Sequence, residues 1–95
     1  PPFSTFYING GGTGYSTSGG ACGGGNVSFA VYTDGIYGSI DDFSVYNTRF
    51  YTDTALTNVF DGNGDYWGIS ETNSTSPTDW AIIVGAGFLS GFGTC

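Results

Sequence analysis

The run Asp61-Gly62-Asn63-Gly64-Asp65 constrains this chain more than any other stretch, because it reads as a tight reversal. Asp-Gly and Asn-Gly pairs supply the positive φ angles that short turns need. The run is set among aromatic and β-branched residues: Phe50 and Tyr51 ahead of it, Asn58 to Phe60 leading in, Tyr66 to Ile69 leading out. Such residues suit a pleated, half-buried surface. The spacing predicts a hairpin in which residues 58–60 and 66–69 are partner strands of an all-β domain.

The same grammar extends along the chain. Phe3-Ser4-Thr5-Phe6-Tyr7-Ile8 is aromatic, β-branched and uncharged, a strand by residue type. Val27, Phe29 and Val31 alternate onto one face of a second strand. Residues 36–40 and 43–46 read as short strands around Asp41-Asp42, and residues 80–84 and 88–92 as a last hairpin across Gly85-Ala86-Gly87. Nowhere does a helical apolar period persist free of glycine. Short strands with frequent turns predict a small antiparallel β-sandwich or partly open barrel. Tyr-Thr-Asp recurs at 32–34 and 51–53, which reads as strand-end grammar with Asp capping a turn.

Composition narrows the function. The 95 residues allow one domain with a modest core. One cation, Arg49, faces eight acids, for a net charge of −7. Nucleic-acid affinity comes largely from cations that displace counterions, so a nucleic-acid partner is excluded, as is attraction to anionic membranes. No run approaches the roughly 20 apolar residues of a membrane span. The chain begins without an initiator Met or a signal peptide, which reads as a processed chain or an excised domain.

Cys22 and Cys95 bracket most of the apolar sequence. Their pairing would close a loop of about seventy residues, worth up to roughly 4 kcal/mol of chain entropy. Such staples belong to an oxidising, extracellular compartment; the alternative is a pair of buried free thiols. Three parts result: an N-terminal strand within residues 1–8, a Gly/Ser-rich linker at 9–20, and a disulfide-closed β domain at 21–95. The strand is expected to be detached from the body, on a tether that reaches on the order of 40 Å when extended.

The succession Ala21-Cys22, then Tyr-Thr-Asp at 32–34, then Phe50-Tyr51-Thr52-Asp53-Thr54-Ala55-Leu56-Thr57, Phe60, Gly62, Gly64, Tyr66, Ile82 and the closing Cys95 resembles a small Cys-to-Cys β module. Modules of this kind occur in tail-fibre-like and surface proteins of phages and aquatic bacteria. The similarity covers residues 21–95, and its specific part is the middle, YTDxxLTxxFxGxGxYW. Where that pattern expects a polar turn, this chain reads Ile83-Val84-Gly85-Ala86-Gly87-Phe88, which implies a covered surface. The resemblance implies an extracellular or virion-surface module with a structural or adhesive role and no enzymatic one.

Candidate chemistry is sparse. Asp61, Asn63 and Asp65 have the opening spacing of a calcium loop, but its sixth position, normally Gly, is Tyr66, and its twelfth, normally Glu, is Thr72. A hairpin turn explains them better, and no metal or other cofactor is expected. Asp41 and Asp42 are neighbours that a strand would point to opposite faces, which does not make an acid–base pair. With no His and no Lys, a nucleophile has no ordinary base, so the chain is not expected to be an enzyme. Tyr66, Trp67 and Trp80 are candidates for stacking on a bound sugar, Trp67 and Trp80 foremost, against the commoner use of such rings as core. Asn26 and Asn73 open Asn-X-Ser/Thr acceptor patterns for attached glycan, Asn73 in the more polar loop.

The tethered strand carries the functional expectation. An uncharged strand on a glycine tether can fill a sheet edge of the next copy, as in donor-strand complementation. Such a head-to-tail contact is heterologous and generates a filament. The chain is therefore expected to be a filament subunit whose partners are copies of itself. The alternatives are a phage tail-fibre or capsid-decoration module, and a glycan-binding surface domain.

Overall fold

Phe6 and Ile8 of the first strand are 2% and 1% exposed, and the whole sheet is laid around them. In the computed structural model, which describes residues 2–9 and 14–95, six antiparallel strands form one curled sheet. They are β1 (Phe3–Ile8), β2 (Phe29–Asp34), β3 (Phe50–Tyr51), β4 (Asp65–Ser70), β5 (Asp79–Ile83) and β6 (Leu89–Thr94). Their order across the sheet is β3-β2-β1-β4-β5-β6. The architecture is the expected all-β one, in its partly open barrel form.

Period-2 alternation fills the concave side. Val31 and Thr33 of β2, Trp67 and Ile69 of β4, Ala81 and Ile83 of β5, and Phe50 and Leu89 are all buried there with Phe6 and Ile8. The seam between β3 and β6 is closed over one short stretch. Arg49 bridges Phe88, Leu89 N donates to Thr48 O at 2.8 Å, and Phe50 N donates to Gly87 O at 2.8 Å. Arg49 also lies over the Phe88 ring at 4.6 Å, so the chain's one cation covers the apolar turn of the last hairpin. Past Leu89 the outer edge of β6 pairs with no other strand among the described residues.

Residues 36–48 do not make the two strands their composition predicts. They cross the open end of the barrel as a plug, with a 3₁₀ turn at Ile40–Asp42. Polar side chains fix the path: Tyr37 N donates to Ser4 Oγ, Ser39 N to Asp42 Oδ2, and Ile40 N to Glu71 Oε2. Phe43 is then driven inward, with its ring edge-on to Phe6 (4.8 Å), Phe50 (5.5 Å), Tyr37 (5.6 Å) and Phe92 (5.8 Å). Such aromatic pairs add to the burial of their area. Of the apolar residues that suggested strands, Tyr37, Ile40 and Phe43 face the barrel as the plug, while Ile36, Val45 and Tyr46 stay exposed.

The turn at 61–65 is real, with Asn63 at φ 56° and Gly64 at φ 75°, but it does not join neighbouring strands. Residues 58–60 pair back onto β3, through the Tyr51–Val59 bridge, while β4 leaves to lie between β1 and β5. Gly64 N and Gly62 N donate to Ile83 O and Val84 O, so the turn leans on the end of β5. Turn chemistry fixes a reversal; it does not choose the partner. Phe29 shares the face of Val31 by alternation, as expected, but it stands at the other barrel mouth, 43% exposed, against Phe60 at 6.3 Å.

The N-terminal strand is the main correction. It is not detached. β1 pairs with β2 over its full length, from Phe3 opposite Asp34 to Ile8 opposite Phe29, and with β4 at Tyr7–Ser70 and Ile8–Ile69. Burial of two large apolar side chains, worth about 1.5–3 kcal/mol each, is the physical reason. The 9–20 linker is also shorter than predicted. Asn9 is buried, Tyr15 bridges Tyr66, and Ser18–Cys22 forms a short helix, α1, capped by the Thr17 hydroxyl. Residues 10–13 of that linker, with Pro1, lie outside the described residues.

Candidate functional site

The feature with the clearest bearing on function is the slot that β1 occupies. β2 and β4 have no pairing with each other; β1 is the strand between them. Its inner face brings Phe6 against Phe43 and seats Ile8 at the centre of the core. At its start, Ser4 Oγ donates to Gly35 O and accepts from Tyr37 N, tying the strand to the plug. Tyr7 and Ala30 face each other on the outer side, both half-buried. Ser4, Thr5 and Phe3 complete the strand, with Phe3 edge-on to Tyr32 at 5.6 Å.

At its far end the strand is clasped by Asn9, which the sequence reading assigned to the linker. Its backbone N–H donates to Gly68 O (3.0 Å), its Nδ2 to Ala21 O (2.8 Å), and its Oδ1 accepts from Gly68 N (2.8 Å). Asn9 thus joins β1, β4 and α1. Gly68 is required at this point, since a Cβ there would stand 2.5 Å from Asn9 Nδ2 and 2.6 Å from Ala21 O. The one signal for the clasp in the sequence was an Asn closing an apolar strand.

Cys22 at the end of α1 is bonded to Cys95 just past β6, with Cα atoms 5.6 Å apart. The bond ties α1 across the outer face of β4 and β5 and closes the body after β1, so β1 lies outside the covalent loop.

The remaining candidates separate by environment. Asp61 Oδ1 accepts from Asn63 N, and Asn63 Nδ2 donates to Asp65 Oδ2, so all three side chains serve their own turn. Asp42 accepts from Gly38 N and Ser39 N, whereas Asp41 is exposed beside it. Asp53 caps residues 54–58; the Thr57 hydroxyl and the Asn58 and Thr57 amides hold its carboxyl below the ordinary range. Among the described residues no three His, Cys, Asp or Glu side chains converge as metal ligands, and no pocket opens.

Trp67 is buried at 3% exposure, its ring against Phe60 and its Nε1 donating to Gly62 O, so it presents no face to a sugar. Trp80 lies half-buried on the outer side, beside Tyr66 at 5.5 Å, with its indole over Gly93. Of the three candidate rings, Tyr66 and Trp80 lie together on the outer side and Trp67 is turned into the core. Asn26 and Asn73 are both exposed, and the Val27–Ser74 bridge sets the two acceptor patterns side by side. No protein-family model, curated protein or solved structure matches this chain.

Proposed function

We propose that this chain is a non-enzymatic structural module of an extracellular surface or fibre, and that copies join into filaments by lending β1 to one another. The observation that carries the reading is the slot. The first strand of the chain lies between β2 and β4, which among the described residues no other strand joins, and it enters from outside the disulfide loop. A neighbour's β1 would bring the same Phe6, Ile8 and Asn9 to the same partners, so exchange conserves every contact. Like donor-strand exchange generally, it relies on main-chain pairing for affinity and on alternate side chains for specificity. The Cys22–Cys95 bond supports an oxidising, extracellular setting.

The shortened tether sets the geometry of exchange. Five chain steps from Asn9 to Gly14 reach at most about 17 Å. Donor and acceptor bodies must therefore touch, giving a compact filament, and a short connection favours exchange when it is strained in the closed form. A second reading, a phage fibre or decoration module that keeps β1 at home, draws on the pairing of β1 within its own chain.

A clamp separates the two. Tyr7 and Ala30 are opposed across β1 and β2 at a non-hydrogen-bonded position, because Gly35 N bonds to Pro2 O and pairing alternates from there. The double substitution Tyr7→Cys and Ala30→Cys, oxidised as a monomer, locks β1 in its own sheet. Electron microscopy is expected to show filaments for the unmodified protein and single particles for the clamped one. Filaments of undiminished number from the clamped protein would rule exchange out.

A further inference from the structure

Among the described residues, two backbone positions on β6 meet no partner. Cys95 N donates to Thr78 O, so Cys95 and, by alternation, Gly93 and Gly91 direct their backbone groups toward β5. Phe92 and Thr94 then aim N–H and C=O away from the sheet, past the closed stretch of seam at Leu89, and no group among the described residues meets them. An unprotected edge is a template for a further strand, and proteins that must stay apart blunt such edges with charge or proline.

β6 has neither. Its sequence, Leu-Ser-Gly-Phe-Gly-Thr, is uncharged, and so is the loop at 43–48 that borders its outer edge, where Tyr46 N donates to Leu89 O. That border also carries Val45 and Tyr46, 39% and 71% exposed, and Tyr46 is held at φ 65°. A left-handed non-glycine residue is a sparsely populated conformation that persists only where its surroundings enforce it. Phe3 and Thr5 of β1 also extend past the end of β4, but that gap is flanked by Glu71, Asp41 and Asp42. In a chain of net charge −7, two copies meet with least repulsion where neither presents a carboxylate, and β6 with its border is such a place.

We infer that β6 is a second contact between copies of this chain, in which β6 of one molecule lies antiparallel beside β6 of another about a two-fold axis. The occupant is a copy of the chain because the edge is self-complementary in charge, in hydrogen-bonding groups and in direction. An isologous contact closes at two molecules. It is independent of β1, needs no strand to leave its place, and would join exchanged filaments side by side.

Amide hydrogen exchange tests it in the intact protein. Protection at the Phe92 and Thr94 amides is expected to rise with protein concentration, while that of the other β6 amides stays constant. Strand exchange at β1 leaves these two amides untouched, so the readout is specific. Thr94→Pro removes an N–H that serves no internal bond and should abolish the concentration dependence at Phe92; Thr94→Val should retain it. Fast exchange at both amides at every concentration, or unchanged protection at Phe92 in Thr94→Pro, would overturn the pairing.

Discussion

At the scale of single residues, Asn9 does more than its place in a glycine run suggests. It satisfies Gly68 N–H and Ala21 C=O in a position 3% exposed to solvent, where water does not substitute freely. Asn9→Ala strands both groups, each at about 1–3 kcal/mol. A loss of about 3 kcal/mol is expected, read as a lower denaturation midpoint at an unchanged slope. Asn9→Asp keeps the acceptor for Gly68 N–H but sets a buried carboxylate against Ala21 O, and at neutral pH should cost at least as much as Asn9→Ala. Local chemistry of this kind was partly legible. Turn residues were identified correctly at 61–65, and so were the strand character of Phe3–Ile8 and the pairing of Cys22 with Cys95. The clasp was not, because a side chain that bridges three elements leaves no trace in the residues beside it.

At the scale of elements, the sequence marked most of the extended segments, residues 36–46 being the exception, but not whom they face. Residues 58–60 and 66–69 flank one turn and yet pair with different strands, since barrel closure sets the order of strands and turn chemistry only their ends. Residues 36–48 have the composition of strands because a plug that seals an apolar barrel needs the same residue types. With charged residues at 9% of the chain, little marks the solvent side, so residue type alone does not tell that Phe29 is 43% exposed while Trp67 is buried. The plug itself is testable. Phe43→Ala removes a ring that touches Phe6, Phe50, Tyr37 and Phe92, and should cost about 3–5 kcal/mol. If residues 36–48 were a dispensable loop, thermal unfolding of this variant would match that of the unmodified chain.

At the scale of the whole molecule, two features stand apart: a body closed by Cys22–Cys95, and a central strand that enters from outside that closure. A body whose sheet is completed by a strand outside its own covalent loop can equally be completed by the same strand of another copy. The proposal for assembly depends on this equivalence. The most direct measurement uses two populations, one carrying Tyr7→Cys and the other Ala30→Cys, unfolded together, refolded and oxidised. Exchange of β1 predicts a disulfide-linked pair made of one chain from each population, resolved by mass on a non-reducing gel. Monomers alone, in a preparation where the double variant closes the same bond within its own chain, would contradict it.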